Sequence, residues 1–272
     1  MNSKEISEIL DSYIPNPRCE LEFNKDYELV LAVMLSAQTT DKRVNMVTKE
    51  LFKEYDSLEK LNELSIKEIE DKIKTIGMYR QKAKHFKNIV NELSKIGYVP
   101  NDRKYLESLS GVGRKSTNVV LAVLYNEPCI AVDTHVTRVS KRLGLADEKD
   151  DVLKIEQKLM KFFPKELWTK IHYQLVLFGR YHCLAKKPLC DNCKFKQICT
   201  YKKSSNKWTL LFYINASTFT TISNTQVCNM ISYLIPTFLR SIYIRYTIQR
   251  FVRNSIFNSH SNGTFINSFS NI

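Results

Sequence analysis

Four cysteines, Cys183, Cys190, Cys193 and Cys199, fall within seventeen residues in the spacing C-x6-C-x2-C-x5-C. Thiols this close can be turned onto one point, and a metal held there would dictate how the surrounding chain folds. Cys19, Cys129 and Cys228 lie apart from them. The chain opens MNSKEISEIL, an amphipathic polar run without the form of a secretory signal. A reducing cytosol is therefore expected, where clustered cysteines indicate metal binding before disulfides. Four thiolates suit either tetrahedral zinc or an iron–sulfur cluster. The residues alone do not choose: zinc has the higher general prior, and the six-residue first gap matches neither common ferredoxin pattern.

The first 200 residues otherwise read as helix after helix, with no sustained two-residue alternation, which predicts an all-α fold. Ile6, Ile9, Leu10 and Tyr13 form one face, ended by Pro15 and Pro17. Tyr27, Val30, Leu31, Met34 and Leu35 form another, breaking at Ser36-Ala37-Gln38-Thr39-Thr40-Asp41 before Val44, Val47 and Leu51. Ser65 and Glu68 have capping-box spacing, and Ile66, Ile69, Ile73 and Ile76 carry that helix to Gly77. Ala83, Phe86, Val90 and Leu93 line the next, whose outer face of Lys82, Lys84 and Lys87 reads as solvated charge. Later helices stop at Gly144, at Pro164 and, after Leu167, Ile171, Leu175 and Phe178, at Gly179.

Residues 106–135 concentrate the chemistry. Leu106 and Leu109 close a short helical pattern, and Ser110-Gly111-Val112-Gly113 is a two-glycine turn. Arg114, Lys115 and Ser116 then open a helix with the apolar body Val119, Val120, Val123 and Leu124. Glycines permit close backbone approach, and the helix start presents unpaired N–H groups and a positive dipole end. Together they suit a nucleic-acid phosphate. Lys115 stands in that first turn, where the dipole works against an ammonium charge. Asp133 follows the apolar run Cys129-Ile130-Ala131-Val132 and precedes another helix. An amine and a carboxylate brought to one cleft would make a nucleophile with an acid/base partner. Singly, each has a plain alternative: a turn, a solvated lysine, an N-cap.

In combination, LSGVGRKSTNVV followed by AVDTHVTRV resembles the helix–hairpin–helix DNA glycosylases of the endonuclease III type, and the similarity runs from about Ile6 to Lys203. Ser110 departs from the pattern, standing where proline is common. The resemblance implies two helical lobes with a DNA-binding cleft between them. One is a six-helix barrel with the hairpin, residues 21–129; the other joins residues 1–20 to 130–203 and holds the metal. Lys115 matches the family's nucleophile and Asp133 the aspartate that assists it. The cysteine spacing matches the family's [4Fe–4S] signature, which decides for a cluster over zinc. The loop between the first two ligands carries bases to the DNA backbone in the family. Arg180, Lys186 and Lys187 are thus phosphate candidates beside Gly111, Val112, Gly113 and Arg114. Gln38 matches a glutamine that fills the gap left by an extruded nucleotide, and Ile76-Gly77-Met78-Tyr79 resembles a second loop pressing into the duplex. Such wedges are needed because a base cannot be attacked inside the stack. Glu107 and His135 are further neighbours, with a surface acid and a structural histidine as alternatives.

The activity implied is base excision repair: a DNA glycosylase with AP lyase activity that removes oxidised pyrimidines through a lysine Schiff base and β-elimination. Its partner would be double-stranded DNA with damaged bases or abasic sites. The protein is expected to be a cytoplasmic, nucleoid-associated monomer without membrane contact. Two competitors are an adenine glycosylase of the same superfamily, lacking the lysine, and a cluster-bearing DNA-binding or redox protein without catalysis. Lys115 weighs against the first, and Lys115 with Asp133 against the second.

Charge agrees with a polyanionic partner: 41 Lys+Arg against 28 Asp+Glu gives +13. Residues 204–272 hold five of the bases and no acid, leaving +8 for residues 1–203. That tail loses helical periodicity and family resemblance together, and polar residues interrupt it too often for a membrane span. A frameshift or read-through product would explain it first, a lineage-specific extension second. It is expected to be weakly ordered and dispensable, so that a chain ending at Lys203 keeps its cluster and activity.

Overall fold

The structure is a computed structural model that describes residues 2–201. The expectations for residues 204–272 lie outside the described residues. Among these there are eleven α-helices, one 3₁₀ turn and no strand, an all-α fold in two lobes. Helix starts follow capping chemistry. α3 (Asp41–Glu54), α4 (Leu58–Glu63), α5 (Ile66–Ile73), α9 (Thr134–Arg142) and α10 (Val152–Phe162) begin after Thr40, Ser57, Ser65, Asp133 and Asp151. Each cap's side-chain oxygen accepts from the N–H three residues on. Ser65 and Glu68 complete the expected capping box, but that helix ends at Ile73 instead of running to Gly77.

In the first lobe, α2 (Asp26–Leu35) is the axis, since every residue from Tyr27 to Leu35 is buried. A helix enclosed on all sides belongs at the centre of a core. Its one buried acid, Glu28, is satisfied by the N–H groups of Asn24 and Lys25. α6 (Tyr79–Ile96), α7 (Arg103–Ser108) and α8 (Arg114–Tyr125) contribute Phe86, Val90, Leu106 and Val120 to the same core. A second core draws Leu10 from α1 (Ser3–Tyr13), Val136 and Val139 from α9, and Leu159 from α10. α11 (Trp168–Tyr181) adds Leu175 and Phe178. Between α8 and α9 the chain carries no helix, and its side chains alternate. Cys129 and Ala131 enter the first core, Ile130 and Val132 the second. Period two is the signature of extended backbone. Burying Ile130 and Val132 is worth about 1.5–3 kcal/mol each. This pinned segment delivers Asp133 to the junction of the lobes.

Two further expectations are corrected. Gly179 does not stop a helix, because α11 continues to Tyr181. A Cβ there would lie 2.9 Å from His135 Cβ and 3.1 Å from Val139 Cγ2, so the glycine lets α11 pack flush on α9. Gly179→Ala should cost about 1–3 kcal/mol, the usual scale of overpacking. Thermal unfolding checks this, and an unchanged Tm would mean that the helices part freely here. Lys82 is not on a solvated face. Its side chain is only 3% exposed and turns into the lobe, while Lys84 stays exposed and the half-buried Lys87 donates to Asn62 O. A stripe of three lysines hides one that points inward.

Candidate active site

A cavity of about 950 Å³ is lined by Lys115, Asp133, Gln38, His135, Arg180 and Asp41, among others. Lys115 arrives in the first turn of α8, exposed to the cavity. The turn before it needs glycine at Gly111, where φ is +79° and a Cβ would stand 2.9 Å from the His85 ring. Gly113 is extended, and a Cβ there would meet nothing within 4 Å. As N-cap of α8 it offers no side chain, so the first-turn N–H groups are left without a cap. Val112 between the glycines is buried in the first core and anchors the hairpin.

Asp133 caps α9: Val136 N–H donates to its Oδ1 at 2.8 Å. Oδ2 takes no hydrogen bond from the described residues, so the carboxylate is fixed in place and half free. His135 Nδ1 lies 3.1 Å from Arg138 Nη2, which also donates to Gly179 O at 2.8 Å. Burial pushes the His135 pKa down, with Asp133 opposing. The imidazole is thus tied toward α11, and its ordinary structural alternative has direct support.

Behind Lys115 and Asp133 is a smaller cavity of about 60 Å³, also walled by Cys19, His172 and Tyr173. Sequence reasoning missed these three. His172 adjoins the Ile171–Leu175 stripe, and a lone histidine there carries no signal of its own. Burial pushes its pKa down to about 4, opposed by the Asp133 charge and reinforced by that of Lys115. It is neutral in the folded protein and protonates near 6.5 in the unfolded one. Between those values the unfolded chain binds more protons, so stability falls as pH drops from about 6.5 to 4. At 1.36 kcal/mol per unit, His172 alone should remove roughly 3 kcal/mol. Urea unfolding from pH 7 to 4, with His172→Gln flattening the slope, checks this. An unaltered slope in the variant would discount His172.

The two arginine candidates are engaged. Arg114 makes a bidentate pair with Glu156, Nε to Oε2 at 2.9 Å and Nη2 to Oε1 at 2.8 Å. Arg180 donates to Asp41 Oδ2 at 2.8 Å and to Glu20, which also accepts from the Tyr181 hydroxyl at 2.7 Å. Burial opposes the Arg180 charge, but the two carboxylates outweigh it and raise its pKa. Lys186 and Lys187 are exposed and form no ion pair among the described residues. Gln38 is exposed with φ +54°. Glu107 pairs with Arg103 at 3.3 Å and does not line the cavity. The hairpin residues Gly111 to Arg114 and the Lys186–Lys187 pair also lie outside its walls.

Cys183, Cys190, Cys193 and Cys199 come near enough to influence one another electrostatically. Burial pushes the Cys193 thiol up, and the Cys183, Cys199 and Cys190 charges add to that. Arg142 Nη1 lies 3.2 Å from Cys183 Sγ and 2.8 Å from Leu184 O. Yet no three His, Cys, Asp or Glu side chains among the described residues are grouped to hold one ion. With Zn–S bonds of about 2.3 Å, tetrahedral thiolates on one zinc stand roughly 3.8 Å apart. A [4Fe–4S] cluster would instead take one thiolate from each of the four cysteines. Four thiols, with a guanidinium beside Cys183, are the donor chemistry that a cluster takes.

Residues 31–165 match the HhH-GPD superfamily of base excision DNA repair proteins. Endonuclease III of Bacillus subtilis (strain 168) is 45% identical over 216 residues, covering 76% of this chain and 97% of that protein. Endonuclease III of Escherichia coli (strain K12) is 42% identical over 191 residues, covering 70% and 90%. A solved non-covalent endonuclease III–DNA complex aligns with a TM-score of 0.72 and 42% identity, over 76% of this chain and 99% of that one. Identity at this level, over nearly the full length of the relatives, makes the chain a member of the endonuclease III family, a base-excision-repair DNA glycosylase and AP lyase.

Proposed function

We propose that the enzyme removes oxidised pyrimidines from double-stranded DNA and cleaves abasic sites, with Lys115 as covalent nucleophile. The observation that carries this is the meeting of Lys115 and Asp133, from separate helix starts, in one cavity of about 950 Å³. That volume is within the usual range for ligand sites. The unprotonated Lys115 amine adds to C1′ of an everted nucleotide as the base leaves with a proton. The nitrogen lone pair then opens the sugar to a Schiff base, with O4′ taking a proton. Loss of a C2′ proton expels the 3′ phosphate, and water releases the lysine. Asp133, held by Val136 N–H, stabilises positive charge at C1′ and assists the proton transfers.

Gln38 fills the gap left by the extruded nucleotide. The hairpin amides with Lys186 and Lys187 hold phosphates, a contact that positions without reading sequence. Arg114 and Arg180 join them only by exchanging a carboxylate for a phosphate. Residues 21–129 form the barrel lobe, and residues 1–20 with 130–203 the other, with DNA in the cleft. Cys183, Cys190, Cys193 and Cys199 hold a [4Fe–4S] cluster, which fastens their loop beside α9 when bound. The enzyme acts as a monomer at the nucleoid; no helix among the described residues is long and apolar enough to cross a membrane.

Incision of an oligonucleotide panel tests the activity. Thymine glycol and abasic sites should be cut and mismatched adenine left intact; excision of adenine alone would overturn the assignment. Anaerobically purified enzyme should be brown, with about four irons per chain. Stoichiometric zinc from iron-replete cells would refute the cluster.

A further inference from the structure

Lys82 is a buried lysine that forms no ion pair with a carboxylate among the described residues. Its Nζ donates to Leu35 O at 2.8 Å, Ala37 O at 2.7 Å and Thr39 Oγ1 at 3.0 Å. Either protonation state of the amine can make all three contacts, because a hydroxyl both donates and accepts, and burial pushes the Lys82 pKa down. Leu35 O and Ala37 O lie at the C-terminal end of α2, where the helix dipole favours a cation. Two of the three acceptors, on Ala37 and Thr39, flank Gln38, which stands exposed at φ +54° and lines the cavity with them. If this loop relaxed, a buried amine would lose its partners, which is costly in either protonation state.

Lys82 also belongs to the first turn of α6, directly after the second loop. Its N–H donates to Met78 O at 3.0 Å. Met78 has φ +57° and is 50% exposed. A Cβ at Gly77 would lie 3.9 Å from Thr39 Oγ1, so Thr39 adjoins both loops. One side chain thus fastens the Gln38 loop to the start of the helix that carries Met78.

We propose that Lys82 is a positioning residue that holds the Gln38 and Met78 loops ready for insertion, so that nucleotide extrusion depends on it and covalent chemistry does not. This rests on Gln38 filling the vacated gap. Preorganised loops meet the cost of unstacking as they enter, whereas mobile loops must first be ordered.

The test is Lys82→Met beside Gln38→Ala, in single turnover, with 2-aminopurine next to a paired oxidised pyrimidine. Lys82→Met should slow excision about tenfold and slow the fluorescence rise that reports unstacking by the same factor. Cleavage of a preformed abasic site, where no base must leave the stack, should stay within about twofold. The double variant should be no slower than the slower single one. If Lys82→Met fails to fold, Thr39→Val, which removes one acceptor, should show the same split more weakly. Equal slowing on both substrates would reduce Lys82 to a structural role and overturn the proposal. Slowing by Gln38→Ala without slowing by Lys82→Met would overturn the proposal alone. No slowing by Gln38→Ala would remove the gap-filling assignment and the proposal with it.

Discussion

Lys115→Ala should give no covalent adduct when borohydride is added to enzyme and abasic DNA, while the unaltered enzyme is trapped. Only an amine that forms an imine with the opened sugar can be reduced onto it. Three lysines line the cavity, Lys42, Lys49 and Lys115. Lys115 is the one beside Asp133 at the start of α8, whereas Lys42 and Lys49 belong to α3. Lys42→Ala and Lys49→Ala should therefore still be trapped. Lys115 is exposed and makes no hydrogen bond or ion pair with the described residues, so its loss should shift stability by no more than about 0.5 kcal/mol. A folded variant without adduct isolates the chemistry. Undiminished trapping by Lys115→Ala would move the nucleophile to another lysine.

Much of this site was legible because it lies in local patterns. The two-glycine turn, the capping aspartate and the apolar stripes each express a rule that acts over a few residues. What escaped depends on partners far along the chain. Arg180 looks like a free phosphate ligand until it meets Asp41 and Glu20, and Arg114 until it meets Glu156. Lys82 and Lys84 are alike in a helical pattern, but α2 ends opposite one of them and not the other. Gly179 follows an apolar stripe as a stop would, and only α9 lying against it makes it a packing residue. Extended backbone across the lobe junction was hidden for another reason. Cys129 to Val132 is apolar throughout, and its alternation is between two cores rather than between core and water.

Asp133→Asn should retain DNA binding and fold while turnover falls by about 10²–10⁴-fold, the scale of lost proton-transfer assistance. Asp133 does two things that this substitution separates. As N-cap it accepts from Val136 N–H, and asparagine's side-chain oxygen can accept the same bond, since the two residues cap about equally well. As a charge it faces the cavity shared with Lys115, and there the amide has neither a negative charge nor a proton-accepting oxygen of comparable strength. Asp133→Ala removes both roles and should add about 1 kcal/mol of destabilisation from the lost cap. Chemical unfolding and single-turnover excision, measured on both variants, give two independent coordinates. A loss of stability with unchanged turnover would leave Asp133 as a cap alone. Turnover lost in both variants, with stability lost only in the alanine one, requires the carboxylate in the reaction.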